Sequence, residues 1–527
     1  MPGILGYWLV ATGVGAPTVA LILLFCLGRA ANWSIRKIPG PSAPSWTFGN
    51  MKQLLLPKQY GDHEFNWQRS HGAVYRIKGC FGEDRLMLSD SGALQSIIGS
   101  TKFEHTPVFH NMVKLLSDGG SLSVVKGERH RRLRAALNPR FSAATVRQYE
   151  PTMQNAAQAI TENLNAMLDI DSGQEIDMYP LLATATLTAI SQVVLGCATV
   201  DAELIKDFVR NNTRAAALTA GLTSTSILAD AIGARLPEWV WDLATLLPLE
   251  AFNVLRKVRQ LARRIGRRVV QEKKNAAQEG GNDVFTQLLS SEGSDKMKRA
   301  SLTEEDVIAQ TSLFLIAGQE PAAHTLAFGL LELGRNLQFQ DLLRREVLSF
   351  GLAYTDMPLL NAFIKEILRL YPISPLMERI TVEDTIIPLA ECITAVTGER
   401  VSQIPIRRGQ IVNLAIASYQ RLESLWGPDA HEFKPSRWLG GAAYQGGGTV
   451  GPYANLLAFL GGPRTCLGWR FATLEMQIIF SELVANFSFT LPVGGDSAGV
   501  RVQGSTILRP VTSTGEKGAV LCVTRVS

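Results

Sequence analysis

The 527-residue chain carries only six cysteines, Cys26, Cys80, Cys197, Cys392, Cys466 and Cys522, set far apart with no CxxC pair and no Cys/His grouping. That scarcity excludes a paired-ligand zinc site and a disulfide framework, and it fits a reducing compartment. Also missing is a basic stripe: the formal charge of +5 comes from scattered Lys and Arg, with short clusters at Arg129-His130-Arg131-Arg132 and Arg407-Arg408. Nucleic acid is therefore not an expected partner. No internal repeat is present, and strand signals are scarce between about residues 140 and 375, where the apolar period is helical, so the fold class is mainly α. The length exceeds that at which a single core usually stops growing, although large helical enzymes can still form one domain.

Charge is absent altogether from residues 1–28. Ile4 to Leu27 is long enough at helical rise to cross a hydrocarbon core of roughly 30 Å. Arg29, Arg36 and Lys37 follow and, by the positive-inside rule, hold the rest of the chain in the cytosol. The expected division is a membrane anchor over 1–28, a Pro/Gly-rich hinge over 29–50 containing Ile38-Pro39-Gly40-Pro41, and one domain over 51–527. Small sheets are expected near residues 51–100 and 377–412, where short segments alternate. The apolar stretch 215–252, with Trp239 and Trp241, reads either as core or as a roof touching the membrane interface.

The most informative segment is Phe459-Leu460-Gly461-Gly462-Pro463-Arg464-Thr465-Cys466-Leu467-Gly468, which leads into an apolar helical stretch. A thiolate metal ligand needs a turn that aims N–H groups at sulfur, glycines where a macrocycle approaches, and a cation for the macrocycle's carboxylates. Cys466, Gly462, Gly468 and Arg464 supply these. Two further groupings stand out. Glu366-Ile367-Leu368-Arg369 puts a carboxylate and a guanidinium on one helical face, and His130 and Arg134 are spaced i, i+4 so that both can meet one anion.

The Cys466 segment resembles the haem-ligand loop of the cytochrome P450 family, in which a Cys thiolate pushes electron density onto iron and favours O–O cleavage. The resemblance extends over nearly the whole chain and looks most like membrane-bound fungal members of the basidiomycete type. It implies the P450 fold, a helical bundle around haem b with small β-sheets, and Cys466 as the axial ligand. Phe459, Gly462, Gly468, Arg464, His130, Arg134 and Arg379 are implied as cofactor-binding residues, and Glu366, Arg369 and Arg437 as a structural charged triad beneath the Cys loop. Implied partners are NADPH-cytochrome P450 reductase, with NADPH used indirectly, cytochrome b5, and a lipophilic small-molecule substrate such as a fungal terpenoid. The implied location is the endoplasmic reticulum membrane, single-pass, with the catalytic domain in the cytosol. Arg129, Arg131 and Arg132 are expected to help dock an acidic electron donor. Phe109 to Leu122, residues 215–245, Phe314 to Gly318 and Ile373 to Met377 are expected to line the substrate pocket.

One segment departs from the family pattern. Ala317-Gly318-Gln319-Glu320-Pro321 matches the central helix above the haem, but Pro321 stands where the family has a Thr whose hydroxyl supports proton delivery. Proline also lacks an N–H and crowds the carbonyl of Ala317, so a kink that frees this carbonyl is expected. That carbonyl and Glu320 could hold a water, or a substrate hydroxyl could supply the missing donor. The chemistry expected first is insertion of one oxygen into a C–H bond. A desaturating, dehydrating or rearranging enzyme, and a non-catalytic membrane haem-binding protein, are the alternatives.

Overall fold

The computed structural model describes residues 33–169, 173–196, 202–220, 223–236, 238–244, 246–275, 282–290, 302–440, 450–492, 500–503, 507–512 and 514–526. The expected anchor at 1–28 lies outside them. Among the described residues no helix is long and apolar enough to cross a membrane.

Helices dominate, as the 3.6-residue apolar period implies. The central helix, Thr311–Arg335, is buried almost all round from Ala322 to Gly334, which a helix in the middle of a bundle must be. It lies against Tyr179–Leu195, and Gly318 sets how close the two come: a Cβ there would sit 2.3 Å from Ile190 Cγ1. Pro358–Leu370 and Trp469–Asn486 complete the buried bundle, with Phe363 and Phe480 packed edge to face at 4.8 Å. Fully burying side chains of this size stabilises by roughly 1.5–3 kcal/mol each, so this layer is the main source of rigidity around the central helix.

A five-stranded sheet packs at one side, in the order Val74–Lys78, Asp84–Leu88, Ile411–Ala415, Leu376–Thr381, Phe103–Glu104. Both expected alternating regions contribute to it. The hinge expected over 29–50 is not a free connection from Trp33 onward. Ile35 and Ile38 are buried beneath the sheet, Arg76 donates its N–H to the Pro39 carbonyl at 2.8 Å, and Asn50 donates to Lys78 at 2.7 Å. The prolines do forbid helix at 39–44, but the extended backbone they impose lies along the sheet instead of swinging from it.

Candidate active site

Cys466 precedes the helix Trp469–Asn486 by three residues, in a turn closed by its own N–H donating to the Phe459 carbonyl at 2.9 Å. The side chain keeps open surface, yet protein encloses it enough that burial pushes its thiol pKa up. Both hold together only if that surface faces an interior void. The backbone N–H of Gly468 and the charge of Arg134 work against the burial and favour the thiolate. Ala317, in the middle of the central helix, is likewise exposed while Leu315 and Gln319 beside it are buried. Open surface at Cys466 and at Ala317 thus marks space inside the bundle.

The cationic side chains gather around this space. Arg464 donates to the carbonyls of Leu122 and Val125 at 3.1 and 2.8 Å, and Arg379 donates to the Glu378 carbonyl at 2.9 Å. Among the described residues, none of Arg134, Arg379 and Arg464 has a carboxylate hydrogen-bond partner. Burial lowers the pKa of all three. Repulsion from Arg464 adds to the effect at Arg379, which falls to about 10. Burial, aided by the charges of Arg464 and Arg134, lowers His130 to about 4 and so leaves its ring neutral. Three desolvated guanidinium groups with no carboxylate in hydrogen-bond contact, and with only the charge of Glu104 acting on Arg464, are costly unless an anion joins them.

Beneath the Cys loop, Glu366 is gripped on every side. Arg369 meets it with two bonds of 2.9 Å, Arg437 Nε donates at 3.0 Å, Trp438 Nε1 at 2.9 Å and the Lys434 backbone at 2.8 Å. Gln420, which no motif singled out, links this cluster to the loop. Its amide donates to the Leu368 and Arg369 carbonyls at 2.9 Å and accepts from the Leu457 N–H at 2.8 Å, two residues before Phe459.

Several expectations are corrected. Gly318 faces Ile190 of the neighbouring helix, so its small size serves helix packing and not the open face at Ala317. Gly462 is required for another reason than macrocycle approach. Its φ is +61°, and a Cβ would lie 2.4 Å from the Ile98 carbonyl oxygen. Gly468, by contrast, faces open space. The central helix is not interrupted at Pro321, although that residue still gives no N–H to the Ala317 carbonyl. Glu320 is paired with Lys517 at 3.1 Å through one carboxylate oxygen, a partner the sequence did not show. Phe314 stacks on Phe141 in the core at 5.7 Å instead of lining the pocket. Arg129 and Arg132 share the single carboxylate of Asp306, at 3.0 and 3.1 Å, while Arg131 pairs on the surface with Glu128.

An enclosed cysteine, with an N–H and a guanidinium that oppose the effect of burial on its thiol, over a buried charged cluster and beside a helix that opens at an alanine, fits a haem-thiolate type of site. The sequence comparisons give the family. The cytochrome P450 family model matches residues 39–510, and the chain belongs to that family. It is similar to cytochrome P450 monooxygenase 219 of Postia placenta, 31% identical over 93% of this chain and 93% of the relative. Cytochrome P450 monooxygenase claQ of Ampulloclitocybe clavipes is 28% identical over 91% of each. The retinoic-acid-bound cyanobacterial CYP120A1 shares the fold, with a TM-score of 0.69 at 20% identity over 93% of this chain and 100% of that one. The protein is thus an oxidoreductase of the P450 monooxygenase class, and the family implies haem iron held by a thiolate. Arginines without a carboxylate hydrogen bond and the open surface at Cys466 fit such a group, whose carboxylates would supply anions to them.

Proposed function

We propose that this protein inserts one oxygen atom from O2 into a C–H bond of a lipophilic small molecule, with electrons from NADPH delivered by NADPH-cytochrome P450 reductase. The observation that carries the reading is the Cys466 thiol, enclosed yet open to an interior space, with the Gly468 N–H and Arg134 set to favour its anion. Haem, when bound, would supply the dioxygen chemistry, and Cys466 would be the residue that holds its iron. The chain's own residues do the rest. Arg134, Arg379, Arg464 and His130 bind and orient the carboxylate edge, and the cluster of Glu366, Arg369 and Arg437, through Gln420, holds the loop in place. Ala317 leaves room for substrate against the central helix. A fungal terpenoid or similar lipophilic metabolite fits the basidiomycete relatives.

Residues 1–28 anchor the protein in the endoplasmic reticulum membrane, with residues 29–50 leading into a cytosolic catalytic domain. A second lipid contact is supported by Trp239, Leu246 and Leu249, which are 67%, 72% and 53% exposed. Trp241 does not share it, since its indole N–H donates to the Gly233 carbonyl at 2.9 Å.

A second reading has support from Pro321, which gives the central helix no hydroxyl for proton delivery, and from Lys517, which engages one oxygen of the neighbouring Glu320. It is desaturation, dehydration or rearrangement in place of net oxygen insertion. Turnover under oxygen-18 separates the two. One labelled oxygen per product supports insertion, and an unlabelled product that is desaturated, dehydrated or isomerised supports the second reading.

A further inference from the structure

His105 carried no motif, yet it stands among the cationic side chains of the site. Its Nδ1 lies 3.1 Å from Arg379 Nη1. A guanidinium nitrogen can only donate, so Nδ1 must accept. The proton of the neutral ring is then on Nε2, and the tautomer follows from the partner. The ring is fixed in a second way, stacked on Phe109 with centroids 4.6 Å apart and planes inclined by 23°. Charged and titratable groups around it are Arg379, Arg464, His110 and Lys126, all basic. Glu104, next in the chain, is turned to Lys126. Burial and those charges keep the ring neutral, at a pKa of about 3. Among the described residues Nε2–H has no acceptor.

We propose that His105 is a further haem-positioning residue, locked as the Nε2–H tautomer by Arg379 and donating that proton to the carboxylate edge of the haem. A neutral donor suits this position. A fourth cation beside Arg134, Arg379 and Arg464 would add repulsion, whereas a neutral N–H adds a charge-assisted hydrogen bond without it. The stack on Phe109 makes the same ring a link to the helix Pro107–Leu116, which lies in a segment expected to line the substrate pocket. Movement of that helix on substrate binding would therefore reach the haem edge through a single side chain.

The inference rests on the haem-thiolate reading, and the test keeps the two apart. His105→Phe retains a ring to stack on Phe109 but has no nitrogen. His105→Gln places an amide N–H near the position of Nε2. Each is purified with haem, and haem transfer to excess apomyoglobin and the reduction potential are measured. Loss of a hydrogen bond to a charged group should speed haem transfer by roughly tenfold or more in His105→Phe. It should also lower the potential, because a less neutralised carboxylate favours ferric iron. His105→Gln should restore both toward wild type. Unchanged transfer rate and potential in His105→Phe overturn the proposal. So does equally fast haem loss from both variants at an unchanged potential, which would make His105 only a packing partner of Phe109. In either case an intact thiolate-type spectrum leaves the haem reading standing, and absence of that spectrum from the wild-type protein removes both.

Discussion

Glu366 and Arg369 face each other through two bonds of 2.9 Å, with both side chains fully buried. Arg369 also donates to the carbonyls of Gln420, Ala430 and Glu432, so one helix position ties together three separate stretches of chain. Removing the carboxylate strands the buried guanidinium of Arg369 and leaves Arg437 with Asp429, 3.0 Å away, as its remaining acid. Glu366→Ala should cost about 3–5 kcal/mol of stability and lose haem. Thermal unfolding and haem content of the purified variant check this, and a variant that keeps both would show that the cluster does not support the loop.

Pro321→Thr restores a hydroxyl and a backbone N–H beside the open face at Ala317. Coupling, as product formed per NADPH consumed, should rise for substrates that lack a hydroxyl of their own. The regiochemistry should shift too, because any displacement of Ala317 changes substrate placement, and a misplacement near 1 Å can cost on the order of a hundredfold in rate. Unchanged coupling, rate and products would make Pro321 a neutral variation. Lys517→Met, which frees Glu320, should raise coupling in the Pro321 background if the ion pair withholds the acid.

The motifs that could be read from the sequence are those whose parts lie close along the chain. Cys466 with Gly468, Glu366 with Arg369, and His130 with Arg134 each sit within one turn or two, so spacing alone brings them together. What could not be read depends on packing between distant segments. His105 and Arg379 are 274 residues apart, and Glu320 and Lys517 are 197 apart. His105 sits in an irregular stretch before a helix that begins at Pro107, where no periodicity assigns it a face. Gly318 looked like part of a haem motif because its neighbour Ala317 is. About 100° of helical rotation separates successive residues, and that turns Gly318 onto Ile190. Arg129 and Arg132 form a free basic cluster as far as the sequence shows, but they share one carboxylate, Asp306, on another segment.

Glu64 gives the protein a pH dependence of known sign. Burial raises its pKa from 4.5 to about 7, against the opposing Ser418 hydrogen bond and the charge of Arg421. Between those values the folded state holds a proton that the unfolded state has released. This contribution is thus full below about pH 4.5 and is lost as pH rises to 7, by an amount on the order of 3 kcal/mol. Glu64→Gln should remove that part of the decline. Denaturant unfolding of the two proteins at pH 5 and pH 7 checks it, and parallel profiles would contradict the assignment.

Deleting residues 1–28 should move the protein from the membrane pellet toward the soluble fraction with its haem intact. The truncated protein should still float with liposomes, and Trp239→Ser should weaken that flotation while Trp241→Ser should not do so by loss of a lipid contact. Complete loss of liposome binding on truncation alone would remove Trp239 and its leucine neighbours from the membrane surface.

Cys466, as thiolate, is the residue proposed to hold the haem iron. Carbon monoxide bound to the reduced protein reports the atom on the opposite face of the iron, so its difference spectrum is the most direct measurement. The wild-type protein and Cys80→Ala should both show the red-shifted Soret band of thiolate ligation. Cys466→Ala should lose that band whether or not haem is retained. A thiolate-type band that persists in Cys466→Ala would contradict the account.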